Sequence, residues 1–497
     1  MSTTDKKFPR FVIFCAEILL AVFACSAQDI EATIKIISPV AVRVEGKFLQ
    51  ANVIQSDKNW AFARSIGNVE NLGARISDLN LTDKKGQSIA VKKLIDGEYL
   101  ADGEAIAWSY QINLNPPRDK TAPAHISWLK SEQGVLMFGD LLPQFVGKDN
   151  QPISARIKFE LPKDWKILSS EKSLAENDFC VGDIEKAVFV IGKNWREKEI
   201  SGETNRLNFA ISGEWNFTDA EAFKMTSDIF EEYRKLFGEI RAEKIQISLI
   251  HFPKEIKFGR WEAETRGANL TIFSSDMPFK TLSLQRLHEQ LRHELFHLWI
   301  PNNLALTGNY AWFYEGFAVY QSLKSGVQMN QIRFEDFLDT LAQAYQTDNF
   351  QTQKVSLIAA SKNRWNDTRS NIYARGMLVA FLCDVILLRE SKGKTELADI
   401  FRQIYKAHRL PNKPQDGNMA VLNILGSYLK LQPIIEKYIK GVEKLDWQTN
   451  LESLGIEVSE TDFAVKLKVK AKLDRRQKDL LDRLGYNNWR KILEKAK

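Results

Sequence analysis

HELFHLW, residues 293–299, carries two histidines four apart with a glutamate beside the first. On a helix, residues four apart share a face, so His293 and His297 can offer their imidazoles to one ion. Glu294, about a quarter-turn round, can then reach water on that ion without binding it. That is the arrangement a zinc hydrolase needs. The bland alternative is an amphipathic helix whose histidines are merely partly buried. With six histidines in 497 residues, chance yields this spacing in roughly one chain in a few hundred, so the motif carries information without deciding the matter.

The surroundings supply a frame for it. TLSLQRLHEQLRHELFHLWI (281–300) reads as a helix that Pro301 terminates. KIQISLIHF (244–252) and ANLTIFSS (268–275) read as strands before it. Near Trp215 the pattern switches to helical spacing: Thr218 and Glu221 form a capping box, and Phe223, Ile229, Phe230, Tyr233 and Phe237 follow up to Gly238. Upstream, from about residue 30 to 210, short runs such as ATIKIISPVAVRVEG, ISARIKFELP, KAVFVIG and NRLNFAISG are separated by Gly, Pro, Asn and Asp. These predict an all-β domain, with NPPRDKTAPAH as an exposed loop. Beyond 300 the chain reads as mostly helical to about Gly455. The end resumes with VKLKVKAKL, where apolar residues alternate with lysines as on an edge strand, before a basic helix.

A catalytic metal site wants a third protein ligand from another element, leaving one position open. NYAWFYEGFAVYQSL (309–323) places Glu315 eighteen residues after His297. Its neighbours Trp312, Phe313, Tyr314, Gly316 and Phe317 leave that carboxylate in apolar surroundings, where it needs a cation. The alternative is an exposed carboxylate on an amphipathic helix.

HELFHLW followed by WFYEGFAVY resembles the gluzincin metallopeptidases. The large alanyl-type aminopeptidases carry a very similar run with the glutamate one residue further on. The glycyl aminopeptidase family matches better elsewhere: SLIAASKNRW (356–365), NIYARGMLVAFLCDVIL (371–387) and NILGSYLKLQPIIEKYIKG (423–441) are similar to its serine–tryptophan pattern, its Tyr-x-Lys-Gly helix and its closing helical segment. The resemblance spans roughly residues 215 to 455, and Arg375 stands where that family has lysine. It implies zinc held by His293, His297 and Glu315, Glu294 as general base, and Tyr373 as hydroxyl donor to the oxyanion. FGRWEAE, with Gly259 three residues before Glu262, resembles the Gly-x-x-Glu strand with which aminopeptidases bind a free amine, so Glu262 is the expected substrate-binding carboxylate. Fewer than fifty residues follow Gly455, too few for the PDZ domain usual in that family. His125, His251, His288 and His408 read as structural.

The N-terminus, MSTTDKKFPRFVIFCAEILLAVFACSAQDI, has three basic residues before an apolar run from Phe11 to Ala24 and small residues at 25–27. It reads as a signal peptide cleaved after Ala27, with a lipidated Cys25 as the rival. An exported protein, periplasmic or extracellular, follows. Cys180 and Cys383 are read as buried apolar thiols and not as a disulfide pair. The formal charge is +6; residues 1–27 contribute +1 and residues 466–497 contribute +8, from twelve basic and four acidic side chains, so the remainder is slightly acidic. This argues against general nucleic-acid binding and leaves the basic end as a candidate membrane or partner contact.

The expected architecture is a multidomain α+β protein: signal peptide 1–27, N-terminal β-domain 28–212, thermolysin-like α+β catalytic domain 213–345, C-terminal helical domain 346–455 and basic tail 456–497. The expected activity is that of a zinc metallopeptidase, aminopeptidase-like, acting on a peptide or protein substrate. The competing reading is a non-catalytic envelope binding protein on a degenerate peptidase scaffold. Oligomeric state is left open.

Overall fold

The computed structural model describes residues 28–49, 53–54, 58–119, 122–148, 151–201, 205–275, 277–351, 354–364, 371–461 and 464–487. The expected signal peptide and Cys25 lie outside the described residues, as does Trp365. The chain divides into two compact units, residues 1–195 with 252–255, and residues 196–251 with 256–497.

The first unit is β-rich. Its eight-stranded sheet runs in the order Lys172–Ala175, Asp178–Val181, Ala155–Glu160, Ile30–Ser38, Ala41–Phe48, Ala107–Asn113, Ile76–Thr82 and Ser88–Ile89. Ile30–Ser38 pairs parallel to Ala155–Glu160 and antiparallel to Ala41–Phe48. Alternation does the sorting: Ile30, Ala32 and Ile34 are buried while the residues between them are not. A four-stranded sheet, Trp128–Leu129, Gln133–Met137, Val188–Gly192 and Lys166–Leu168, contributes Leu136, Phe189 and Ile191 to the same core. The proline-rich stretch is less exposed than expected. Ala122–Ala124 forms a buried 3-10 turn, and Pro123 O accepts from Trp128 Nε1 at 3.1 Å.

The second unit begins earlier than the expected 213. β1 (Arg196–Ser201) and β2 (Arg206–Ile211) look like more of the β-domain, yet β2 pairs in parallel with β3 (Lys244–His251), matching Phe209 to Ile247 and Ile211 to Leu249. β4 (Trp261–Arg266) and β5 (Asn269–Ser274) complete a five-stranded mixed sheet in the order β1-β2-β3-β5-β4, with β4 at one edge. β3 and β5 are buried along nearly their whole length, as parallel central strands should be.

α1 (Asp219–Phe237) starts at the expected capping box, with Thr218 Oγ1 accepting from the Glu221 amide, and ends at Gly238, whose φ is 87°. Its buried stripe of Ile229, Phe230, Tyr233 and Phe237 faces α2 (Lys280–His297), where Phe237 and Tyr233 meet Phe296 edge-on. Each such side chain contributes roughly 1.5–3 kcal/mol through burial. Tyr233 Oη donates to Arg292 O at 2.6 Å and Trp299 Nε1 to Gly238 O at 3.0 Å, so the two helices are also tied by polar contacts.

α2 stops at His297, short of the expected Ile300. Pro301 has no amide to return to the His297 carbonyl, which accepts instead from the Asn302 amide at 3.2 Å, while the Leu298 and Trp299 amides take tighter bonds to Leu295 and Phe296.

Helices follow: α3 (Ala318–Gln328), α4 (Phe334–Phe350), α5 (Leu357–Lys362), α6 (Gly376–Glu390), α7 (Leu397–His408) and α8 (Gly417–Gly426). α6 with the turn before it is apolar enough by composition to cross a membrane, but its hydrophobic residues are buried within the unit. The expected boundary at 345/346 falls inside α4, and one hydrophobic core runs from β2 through the helices to Leu484. The basic end belongs to it. β6 (Ile456–Glu460) and β7 (Val465–Val469) form an antiparallel hairpin, and α9 (Arg475–Arg483) follows. Leu467, Leu480, Leu481 and Leu484 are buried in the core while the lysines and arginines face out. Cys383 is buried as expected; Cys180 is only half-buried and accepts from Gln28 Nε2 at 3.2 Å, and neither is in a disulfide.

Of the three π-helical turns among the described residues, Trp312–Phe317, Asn371–Arg375 and Ile435–Lys440, the first two meet. Trp312–Phe317 runs into α3, and Asn371–Arg375 runs into α6. They cross backbone against backbone at Gly316 and Gly376. A methyl on Gly316 would sit 2.5 Å from Ile372 O and 2.7 Å from the Gly376 Cα. Gly316→Ala is therefore expected to cost about 1–3 kcal/mol, as overpacking of a core does. Thermal melts of the variant check this, and an unchanged Tm would show that the crossing can open freely.

Candidate metal centre

α2 has a buried side of Leu287, Leu291 and Leu295 and a second side that turns His293 and His297 toward the π-helical turn carrying Glu315. His297 Nε2 lies 3.1 Å from His293 Nε2, and Glu315 Oε2 lies 3.3 Å from His293 Nε2 and 3.6 Å from His297 Nε2. Ligand atoms about 2.05 Å from a tetrahedral zinc are separated by about 3.3 Å. The three distances are thus the edges of one face of such a tetrahedron. Second contacts fix the donors. His297 Nδ1 is 3.0 Å from Ile300 O and can donate to it, which leaves Nε2 to ligate.

The electrostatics favour a cation there. Burial alone would lower the His297 pKa, but Glu315, Glu294 and the Ile300 carbonyl overcome it and push it up to about 9. Burial works against the Glu315 carboxylate, yet Arg364 and the two histidines hold it well below the usual carboxylate range. The same field that stabilises a proton on His297 would stabilise a metal ion among the three groups.

The start of Trp312–Phe317 is anchored from outside the turn: the Trp312 amide donates to Ser361 Oγ at 2.8 Å and Trp312 Nε1 to Asn418 Oδ1 at 2.8 Å. Ser361 lies in α5, which Ser356 caps by accepting from the Ala359 amide. These two serines belong to the stretch whose pattern the sequence singled out. Single π turns of this kind cluster at functional sites because the extra residue re-aims side chains.

Glu294 is buried, and its Oε2 accepts from Thr265 Oγ1 at 2.8 Å. Tyr373, in the second π turn, donates its hydroxyl to Glu315 Oε2 at 3.1 Å, and its ring lies 6.5 Å from that of His293. Arg375, in the place of the expected lysine, is a buried clamp. It pairs with Asp348 at 3.1 Å and donates to Tyr438 O and Glu443 O, fixing the Tyr373 turn to α4 and to Ile435–Lys440.

Trp261 meets His293 edge-on and Thr265 bonds Glu294, so alternate residues of β4 face the metal helix. Glu262 and Glu264 share the other face. The charge of Glu264 is felt at Tyr314 and Arg364 beside Glu315. Glu264 thus stands beside the expected Glu262 as a second carboxylate on this strand face. Thr265, Glu264, Tyr314 and Arg364 are site residues that the motif did not reveal. WEAETRG contains two glutamates on one strand face, and periodicity alone cannot rank them.

Two of the other histidines make contacts of a structural kind. His288 contacts the Arg292 guanidinium, and burial with that charge lowers its pKa to about 3. His251 stacks on Trp215 at 3.9 Å and makes a 2.8 Å contact with Glu214 O.

No protein-family model matches the sequence, and no curated protein matches it either. Solved structures do. An aminopeptidase N family protein from Idiomarina loihiensis is similar over 90% of this chain and 82% of its own, with 17% identity and a TM-score of 0.72. An M1 zinc metallopeptidase from Deinococcus radiodurans, solved with a Tyr-Ser-Ala substrate, is similar over 84% of this chain and 95% of its own, with 13% identity and a TM-score of 0.55. The same enzyme without that substrate gives a TM-score of 0.52. At these identities the likeness establishes the fold alone: the β-rich N-terminal unit and the mixed sheet with its helical region have the fold of these structures.

Proposed function

We propose that the chain is a zinc-dependent metallopeptidase, aminopeptidase-like, with a thermolysin-like catalytic region, and that it acts on peptides outside the cytoplasm. The observation that carries this is the triangle of His293, His297 and Glu315, whose edges suit tetrahedral zinc. When bound, zinc supplies a Lewis acid for the scissile carbonyl and makes a nearby water easier to deprotonate. Glu294 takes that water's proton and returns it to the leaving amine; Thr265 keeps its carboxylate aimed. Tyr373 gives its hydroxyl proton in a hydrogen bond to the oxyanion. Glu262 and Glu264, on the edge strand, are the carboxylates available to a substrate's free amine. Export rests on the leader-like first 27 residues. Against the non-catalytic scaffold stands the intact set of ligands, base and tyrosine, since a relic would have lost at least one.

The test is cleavage of a peptide library with free and blocked N-termini by the purified protein, before and after removal of its metal. Free-amine peptides should be cut, activity should vanish with the metal and return with zinc, and Glu262→Gln or Glu264→Gln should raise KM for free-amine peptides. Cleavage that persists in metal-free protein would refute the assignment. Equal cleavage of blocked peptides would keep the peptidase and remove the aminopeptidase.

A further inference from the structure

Glu315 has two carboxylate oxygens, and they face different partners. Oε2 looks toward His293, His297 and Tyr373. Oε1 lies 2.9 Å from Arg364 Nη2. The same guanidinium donates through Nη1 to Tyr314 Oη at 3.2 Å, with its carbon 5.7 Å from the Tyr314 ring centre. Glu315 is 5% exposed and Arg364 26%, so the pair is sheltered, and Tyr314 is the residue immediately before the ligand. An unrestrained carboxylate can rotate about its last torsion and exchange its oxygens, or turn both toward an ion. A planar fork that holds one oxygen and is itself held by a neighbouring hydroxyl removes that freedom.

We propose that Arg364 is a positioning residue for the metal: by holding Oε1 it presents Glu315 to the ion through Oε2 alone, with Tyr314 fixing the guanidinium. The inference rests on the metallopeptidase reading. Its chemistry is that of outer partners in metal sites, whose loss weakens metal affinity by about 10- to 100-fold. Lysine in this place would keep the charge but lose the second donor, so it should restore only part of the affinity.

The test measures the zinc dissociation constant by chelator competition on the full chain and on its Arg364→Ala, Arg364→Lys, Tyr314→Phe and His297→Ala variants, with a thermal melt of each metal-free protein. Arg364→Ala should bind zinc about 10- to 100-fold more weakly, Arg364→Lys should fall between it and the unsubstituted chain, and Tyr314→Phe should show a smaller loss. The metal-free melts should remain cooperative. Unchanged zinc affinity in Arg364→Ala, alongside a large loss in His297→Ala, overturns the inference and spares the function. Unchanged affinity in His297→Ala means the metal is held elsewhere, and both fall. If Arg364→Ala does not fold, Arg364→Lys decides: zinc affinity equal to the unsubstituted chain overturns the inference, and a loss supports it.

Discussion

Glu294→Gln is expected to lower kcat by about 10²- to 10⁴-fold while leaving zinc content at that of the unsubstituted protein. The amide has nearly the shape of the carboxylate and can still accept from Thr265 Oγ1, which now holds Oε2 at 2.8 Å. What it cannot do is take a proton. Glu294 does not belong to the triangle of ligand atoms, so its neutralisation leaves His293, His297 and Glu315 in place. Metal analysis and steady-state kinetics on one preparation separate the two effects. Loss of zinc together with activity would mean that Glu294 helps to hold the ion and is not simply a base. Unchanged turnover would sink the peptidase assignment.

Tyr373→Phe is the second large effect. One oxyanion donor is worth about 3–4 kcal/mol, so kcat should fall about 10²- to 10³-fold with little change in KM. The hydroxyl now donates to Glu315 Oε2 at 3.1 Å, on the side where the triad gathers. The ring is held independently of that bond, because Arg375 two residues on is clamped to Asp348, Tyr438 and Glu443. The phenylalanine variant should therefore keep its fold and its zinc. A loss confined to KM would make Tyr373 a substrate contact and not an oxyanion donor.

The parts of this protein legible in the sequence are those written locally. The capping box at Thr218, the pairing of His293 with His297 on one helix face, and the apolar setting of Glu315 need only a few neighbouring residues to be read. What needed the structure is set by partners far along the chain. β2 has the composition of any strand, and only its parallel pairing with β3 moves it out of the β-domain. The basic end carries a high charge that obscures Leu467, Leu480, Leu481 and Leu484, the residues that bind it to the core. Arg364 follows two ordinary polar residues in SKNR, and nothing local says that its partner is Glu315. On β4 the pleat gives Glu262 and Glu264 the same face, and only the folded chain brings the charge of Glu264 to bear on Arg364.

The crossing of Gly316 and Gly376 sets how faithfully this site can keep its dimensions. Glu315 and Tyr373 are each within three residues of a point where two main chains touch with no side chain between them. Their separation is a property of peptide geometry, insulated from the rotamer changes and small volume errors that accumulate across a packed interior. Substitutions in the surrounding aromatic wall can then drift over generations, or shift with temperature, and the ligand and the hydroxyl will move as one body.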